Sequence, residues 1–206
     1  VTFNILDRKK DGFSSPSNPN TPNYSGPGDD SFYPGKTINF DAQKVWDRMG
    51  KHSVVAGINW KKESFEQKRR ELTNWRNHSS FDSTTYPGGL YEINKGATNN
   101  LALFVQDTYR PNFNWAIYTG LRIDRFKKFD GQHVTYDTTN NRYDTVNHGE
   151  GSYTEWSPKL AIEHYVTDSL NVYASYGHSF NPPPLSQVYR YTDVVRANPN
   201  LDPERS

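Results

Sequence analysis

The side chains of this sequence that could bind a metal are few and scattered. No two of the six histidines stand at a spacing that recurs in metal sites. Asp29 and Asp30 are adjacent, but two carboxylates in a Pro/Gly-rich stretch fall short of the ligand number that calcium needs. The chain has no cysteine, which excludes thiolate zinc sites. The sequence therefore predicts no metal site and no cofactor. The histidines are His52, His78, His133, His148, His164 and His178.

Motifs that carry catalysis are also missing from the sequence. It contains no nucleophile elbow, P-loop, dinucleotide fingerprint or His-Glu-x-x-His helix. The formal net charge is +1, and no basic surface is combined with the aromatic platform that nucleic-acid binding uses. We therefore expect a protein that is not an enzyme and does not bind nucleic acid.

The densest group of side chains suited to ligand binding lies near the end of the chain. Tyr189, Arg190, Tyr191 and Arg196 combine aromatic rings with guanidinium groups, which bind small molecules by stacking and by charge. We predict that these four residues contact a ligand from an external loop.

A second, basic group lies at the predicted tip of an earlier strand. Its cations could neutralise phosphates of lipopolysaccharide, or they could simply form a solvated strand tip. Both interpretations stay open at the level of the sequence. The group consists of Lys61, Lys62, Lys68, Arg69 and Arg70.

Composition restricts the elements that can position these groups. Mean hydropathy is −0.95, and no segment approaches the roughly 20 apolar residues of a membrane-spanning helix. Aromatic residues make up 15% of the chain, which favours strands and is unlike a disordered sequence. The chain opens on Val1 with neither a starting Met nor a signal peptide, so we expect that the beginning of the protein is missing.

The most regular feature is an alternation of short turns and long polar stretches. Short turns at residues 47–51, 111–114 and 166–169 each join two segments of alternating polarity. Long stretches rich in Gly, Pro, Asn, Ser and Asp separate these hairpins, at residues 8–36, 67–98, 128–153 and 181–206. Loops of such length are uncommon in compact domains, whereas outer-membrane barrels combine short periplasmic turns with long extracellular loops.

Within the predicted strands, alternate residues differ in character because side chains alternate between the two faces of a strand. In residues 115–124, one face carries Trp115, Ile117 and Ile123, and the opposite face carries Tyr118, Arg122 and Asp124. The predicted strands of about 10 to 14 residues match a tilted membrane-spanning strand better than the strands of about 5 to 6 residues in β-sandwiches. We therefore predict that Tyr118, Arg122 and Asp124 face the lumen of a barrel.

Several sequence blocks resemble the barrel of TonB-dependent outer-membrane receptors. The first is the hairpin that joins Leu103-Phe104-Val105-Gln106-Asp107 to Thr119-Gly120-Leu121-Arg122-Ile123-Asp124. Further blocks follow in the family's order and are listed here: Ser157-Pro158-Lys159-Leu160, Leu170-Asn171-Val172-Tyr173-Ala174-Ser175-Tyr176-Gly177, Ser179-Phe180-Asn181-Pro182-Pro183 and Asn198-Pro199-Asn200-Leu201-Asp202-Pro203-Glu204. The resemblance covers residues 50–204.

This resemblance implies an all-β fold, namely an antiparallel meander of long transmembrane strands that forms part of a barrel of about 22 strands. About six strands cannot close such a barrel, so residues 1–206 are expected to be a fragment without the plug domain. The resemblance further implies the outer membrane of a Gram-negative cell, with lipopolysaccharide around the barrel. The TonB complex would act through the missing plug to drive uptake of a scarce nutrient, most simply a ferric siderophore.

Other interpretations stay open at this point. A haem, cobalamin or glycan receptor of the same family is one, although the segment between Phe180 and Asn198 lacks the histidine that haem receptors place there. Tyr189 or Tyr191 could instead supply an oxygen ligand to haem. A soluble carbohydrate-binding β-sandwich and a porin or adhesin barrel independent of TonB are the alternatives from other classes.

Overall fold

The structure is a computed structural model, and it describes residues 1–8, 12–17, 26–190, 197–198 and 200–206. One antiparallel sheet of ten strands dominates it. Its strands are β1 (Thr2–Arg8), β2 (Gly12–Pro16), β3 (Gly28–Phe32), β4 (Gly35–Met49), β5 (His52–Leu72), β6 (Leu90–Asn112), β7 (Trp115–Asp137), β8 (Arg142–Asn147), β9 (Gly151–Thr167) and β10 (Leu170–Gly177). Their order is β1-β4-β5-β6-β7-β9-β10, with β2, β3 and β8 attached at one end.

Neighbouring long strands follow one another in the chain, as in an up-and-down meander. The tight turns after β4, β6 and β9 all lie at one end of the sheet, which we call the turn end. The longer connections lie at the opposite end, the loop end. Because these ten strands form one sheet and not two sheets packed face to face, the β-sandwich alternative is wrong. The all-β meander predicted from the sequence is confirmed as an unclosed part of a barrel.

The central strands are much longer than the sequence predicts. β5 has 21 residues, and β6 and β7 have 23 each. At roughly 3.3 Å per residue, a strand of that length exceeds twice the thickness of a bilayer's hydrocarbon core. Much of the predicted loop regions 67–98 and 128–153 is therefore strand. Their polar composition was misleading, because these residues are paired with one another across the sheet.

The two faces of the sheet differ sharply. One face, which we call the apolar face, exposes large hydrophobic side chains; Leu103, for example, is 55% exposed. The polar face carries hydrogen-bonded polar side chains, among them Asn59, Asn100 and Asp124. In both β6 and β7 the faces alternate residue by residue over the half nearest the turn end, as the sequence pattern predicts.

A β-bulge interrupts this alternation in the outer half of the sheet. Lys95 pairs with Gln132, and Ala97 pairs with Phe129, so that Gly96 alone lies opposite Asp130 and Gly131. Asp130 has a φ of 56°, the left-handed conformation that such a bulge accommodates. Beyond the bulge it is the odd-numbered residues of β7 that lie on the polar face.

The described residues after β10, at 178–190, 197–198 and 200–206, lie over the polar face, and we call them the folded-back segment. β11 (Phe180–Asn181) pairs with β12 (Glu204–Arg205), and Arg205 forms an ion pair with Glu155 of β9. Between them, α1 (Leu185–Tyr189) packs against β5, β6 and β7. Among the described residues, no helix has both the length and the apolar character needed to cross a membrane.

Candidate functional site

The three residues predicted to face the lumen lie together on the polar face. Arg122 binds the buried carboxylate of Asp124 through two nitrogens, at 2.7 and 2.8 Å. Asn100 donates a further hydrogen bond of 2.9 Å to Asp124, and Tyr118 donates one of 3.0 Å to Glu163. These contacts fix the side chains in a polar layer on β6, β7 and β9. That this layer faces a lumen stays a prediction.

Tyr189 is the deepest residue of the folded-back segment, and its side chain is 1% exposed. Its ring lies over two glycines of the bulge. A Cβ on Gly96 would stand 2.2 Å from the ring, and one on Gly131 would stand 2.5 Å from it. Only glycine leaves room for the aromatic ring at both positions. Tyr189 therefore anchors α1 to the wall, and burial raises the pKa of its hydroxyl.

His148 lies beside this anchor, with its ring centroid 6.1 Å from that of Tyr189. The buried Nε2 of His148 and the hydroxyl of Tyr189 find no hydrogen-bond partner in the described part of the chain. Burial lowers the pKa of His148, and the nearby His133 lowers it further. The anchor therefore favours a neutral imidazole at residue 148.

Arg190 follows the anchor and lines a cavity between the folded-back segment and the wall. The cavity has a volume of about 540 Å³. Its floor is formed by β1, β4, β5, β6 and β7, and its rim by residues 181–186. The Nε of Arg190 is buried without an acceptor among the residues that the structure describes. This side chain therefore holds an unused donor at the cavity wall.

Positive charge and aromatic rings dominate the cavity. Arg8, Lys61 and Arg190 line it, and Glu63, 2.8 Å from the Lys61 ammonium, is the one carboxylate that the described residues contribute to the lining. The aromatic lining consists of Phe13, Tyr33, Phe65 and Phe126. Such a site suits an anionic ligand with flat or apolar parts, because charge and stacking act on the same molecule.

The structure brings together only part of the predicted ligand-binding group. Tyr189 anchors the segment and Arg190 lines the cavity, while Tyr191 and Arg196 lie outside the described residues. Arg8, Lys61 and the aromatic lining were not singled out as ligand contacts from the sequence. They come from strands far apart in the chain, so only strand order could have revealed that they meet.

A buried polar cluster next to the anchor was also missed. Gln67 and Asn94 are both 0% exposed, and Glu92 is 7% exposed. Glu92 accepts hydrogen bonds from Arg69 and Asn94, each of 2.9 Å, and His133 donates to Asn94. The register of β5, β6 and β7 pairs these positions. The sequence alone does not indicate this pairing, because the polar composition of these residues resembles that of a loop.

The predicted basic group is divided between the two faces. Arg69 belongs to the buried cluster on the polar face, and Lys61 lines the cavity on that same face. Lys62, Lys68 and Arg70 alternate with them and project from the other face of β5. The group is therefore not one patch, because neighbouring strand residues point in opposite directions.

The carboxylates of Asp29 and Asp30 are used to fix the loop end. Asp29 accepts a hydrogen bond of 3.0 Å from the Tyr91 hydroxyl, and His78 donates one of 2.8 Å to Asp30. Among the described residues, no three histidine or carboxylate side chains are grouped so as to hold a metal ion.

Comparison with solved structures identifies relatives of this fold. The copper transporter OprC superposes with a TM-score of 0.66 at 17% identity, covering 86% of this chain and 27% of that chain. The ferric yersiniabactin uptake receptor FyuA from Yersinia pestis gives a TM-score of 0.52 at 16% identity, covering 87% of this chain and 24% of that chain. The chain thus spans about a quarter of the length of these structures.

A comparison with protein families gives a more specific result. The sequence matches the family described as "TonB dependent receptor-like, beta-barrel" over residues 2–206. The match extends through the folded-back segment as well as the wall. The family consists of transporters and receptors of the Gram-negative outer membrane. This chain therefore belongs to the TonB-dependent receptor family, as part of its β-barrel, and is located in the outer membrane.

Proposed function

We propose that this chain forms part of the wall of a receptor that binds a ferric siderophore at the cell surface and imports it. The observation that carries the proposal is the cavity under the folded-back segment. Arg8, Lys61 and Arg190 give it an excess of positive charge, and aromatic rings complete its lining. Ferric chelates of this kind are commonly anionic and carry flat groups, so both features suit them.

Import in this proposal is driven by the TonB complex, which acts through a plug domain outside residues 1–206. The two relatives carry different cargo, copper for OprC and ferric yersiniabactin for FyuA. The fold alone therefore leaves the cargo open, and the lining of the cavity supports the choice of an anionic chelate. Haem, cobalamin and glycans are the competing ligands within the family.

The test is a binding titration with the full-length receptor in detergent, followed by intrinsic tryptophan fluorescence. A ferric tris-catecholate, haem, cobalamin and a neutral oligosaccharide are compared. We expect the ferric chelate to bind most tightly and Arg190→Ala to weaken it by roughly tenfold, the loss of one charge-assisted hydrogen bond. Arg142→Ala is the matched control, since Arg142 is 67% exposed on β8 and pairs with Asp144.

Tighter binding of haem, cobalamin or the oligosaccharide than of the ferric chelate would contradict the choice of cargo. If Arg190→Ala and Arg142→Ala weakened binding of the ferric chelate equally, the cavity would not be the binding site. Energy coupling is measured separately, as uptake of labelled ferric chelate by cells with and without TonB. We expect uptake to be lost without TonB while surface binding is retained.

A further inference from the structure

Two arginines reach the ligand cavity from separate parts of the chain. Arg8 is the last residue of β1, and Arg190 directly follows α1 in the folded-back segment. Both side chains line the cavity of about 540 Å³. One guanidinium group thus belongs to the wall of the barrel, and the other belongs to the segment that covers the wall. We call these two residues the arginine pair.

The order of the strands places the arginine pair on opposite sides of the cavity. Arg8 is on β1, at the edge of the sheet, where it pairs with Gly35 of β4. Arg190 follows Tyr189, whose ring lies over Gly96 of β6. β1 and β6 are three strand spacings apart, roughly 14 Å. A ligand in the cavity therefore has one member of the pair on each side.

The protein itself does not neutralise the arginine pair. The third cation of the cavity, Lys61, lies 2.8 Å from Glu63, the one carboxylate that the described residues contribute to the lining. Within the described ranges, neither Arg8 nor Arg190 forms an ion pair. The Nε of Arg190 is in addition buried without an acceptor from these ranges, which is unfavourable for a charged donor. The positive charges that remain for a ligand are thus both guanidinium groups.

A guanidinium group selects its partner by shape as well as by charge. Its N–H groups form a planar fork that binds the two oxygens of one carboxylate in parallel, which an ammonium group cannot do. In a ferric tris-catecholate, every charged oxygen is already bound to the iron. A ferric polycarboxylate, by contrast, keeps carboxylate groups that the iron does not use. The arginine pair is therefore suited to the free carboxylates of such a chelate.

The remaining lining restricts the size and the polarity of that ligand. A cavity of about 540 Å³ is within the range of sites for small molecules. The rings of Phe65 and Phe126 lower the polarity of the lining, which strengthens a charge-assisted hydrogen bond relative to one at an open surface. A free phosphate ion would leave these rings without a partner, whereas the carbon skeleton of a chelate contacts them.

We infer that the arginine pair makes the cavity selective for ferric chelates that carry free carboxylate groups. One carboxylate is bound by the fork of Arg8 and another by that of Arg190, so that the chelate bridges the wall and the folded-back segment. This inference rests on the proposed function and names the class of chelate within it. It makes Arg8, which was not singled out from the sequence, a specificity-determining residue.

The test compares three ferric chelates by titration of the full-length receptor in detergent, followed by tryptophan fluorescence. The probes are ferric citrate, which has free carboxylates, a ferric tris-catecholate, and a neutral ferric tris-hydroxamate. We expect ferric citrate to bind about tenfold more tightly than the tris-catecholate, because only ferric citrate engages both forks. The hydroxamate, which lacks negative charge, should bind most weakly.

The variant Arg8→Lys/Arg190→Lys keeps both charges and removes both forks. Binding of ferric citrate should fall about tenfold, while binding of the tris-catecholate should change by less than about twofold. The matched control is Arg142→Lys, since Arg142 is 67% exposed on β8 and pairs with Asp144. It should leave all three affinities unchanged. Heat-modifiability on gels checks that each variant is folded, and Arg8→Lys alone replaces the double variant if that one is not.

Three outcomes would overturn the inference while leaving the proposed function intact. One is binding of the tris-catecholate or the hydroxamate as tightly as ferric citrate. Another is an equal response of ferric citrate and the tris-catecholate to the lysine variant, including no response of either. The third is displacement of ferric citrate by inorganic phosphate at equal concentration, which would indicate a site for free anions. If none of the three ferric chelates bound, the proposed function would fail together with this inference.

Discussion

The two halves of β5, β6 and β7 are built in different ways, although the strands run through both. In the half near the turn end, one face exposes Leu101, Leu103 and Val105. These large apolar side chains contact the surroundings of the protein and not a protein core. In the half beyond the bulge, Gln67, Glu92 and Asn94 are buried against one another. The first half depends on the membrane, while the second carries a polar core of its own.

This difference indicates where each half obtains its stability. Antiparallel pairing is common to both. The half near the turn end, the inner half, gains from contact of apolar side chains with lipid, whereas the half beyond the bulge is called the outer half. The outer half gains from hydrogen bonds that are shielded from water, in which an unpaired group would be costly. A substitution that is severe in one half should therefore be mild in the other.

The largest effect is expected from Glu92→Ala in the outer half. Glu92 binds Arg69 and Asn94 at 2.9 Å each, and its removal leaves the guanidinium of Arg69, 16% exposed, without that carboxylate. Removing one partner of a buried ion pair costs about 3 to 5 kcal/mol in free energy of unfolding. Urea unfolding of the full-length receptor measures this loss. The control Asp144→Ala removes an exposed pair, with Arg142 67% and Asp144 48% exposed, and should cost less than about 1 kcal/mol.

A somewhat smaller effect is expected from Leu103→Arg in the inner half. Leu103 is 55% exposed on the apolar face, and an arginine there must enter the hydrocarbon region. Such substitutions cost about 2 to 4 kcal/mol at the midplane of a bilayer. Unfolding of the receptor from lipid vesicles measures the loss, with Leu103→Val as the control. A cost near zero would contradict the assignment of this face to lipid.

The smallest effect is expected from pH, and only in the outer half. The pKa of His148 is lowered from 6.5, so protonation is easier in the undocked state and disfavours the docked segment. Docking is therefore fully stable above pH 6.5 and weakens as the pH falls below that value toward the lowered pKa. Its titratable neighbours are His133 and Tyr189. His133 in turn lies 3.7 Å from Glu92, and Asp130 acts on the pKa of Tyr189.

Hydrogen exchange of residues 185–189 at pH 7.5 and pH 5.5 measures this effect. We expect exchange, corrected for its intrinsic pH dependence, to be faster at the lower pH. His148→Phe should abolish the difference while keeping a ring beside Tyr189. A pH effect that persists in this variant would assign the response to another group.

The same comparison explains how much of the molecule could be predicted from its sequence. In the inner half, strict alternation and short turns predicted the hairpins and the face of Tyr118, Arg122 and Asp124 as one polar layer, which the structure shows. In the outer half, polar residues and glycines resemble a loop, because the sequence does not reveal that Gln67 and Asn94 satisfy each other across strands.

The candidate site was less predictable than the wall. Arg190 could be predicted as a ligand contact from the local density of aromatic and arginine residues. The anchoring role of Tyr189 depends on Gly96 and Gly131, each at least 58 residues upstream in the chain. Arg8 and Lys61 join Arg190 only because β1, β4 and β5 are neighbours in the sheet. Contacts between distant strands are set by register, and no local pattern records that register.

The bulge at Gly96 also has a genetic consequence. Deleting Asp130 would restore simple alternation along β7 and would leave Gly131 alone opposite Gly96, so that His133 and Thr135 would stay beside Asn94 and Glu92, their partners on β6. The loss of one codon in the regular part of β7 would instead exchange inside for outside on one side of the deletion, because side chains alternate along a strand. Natural variants of this wall should accordingly tolerate the loss of one residue at the bulge, and changes of length in the connections at the loop end, but not the loss of one residue elsewhere in the strand.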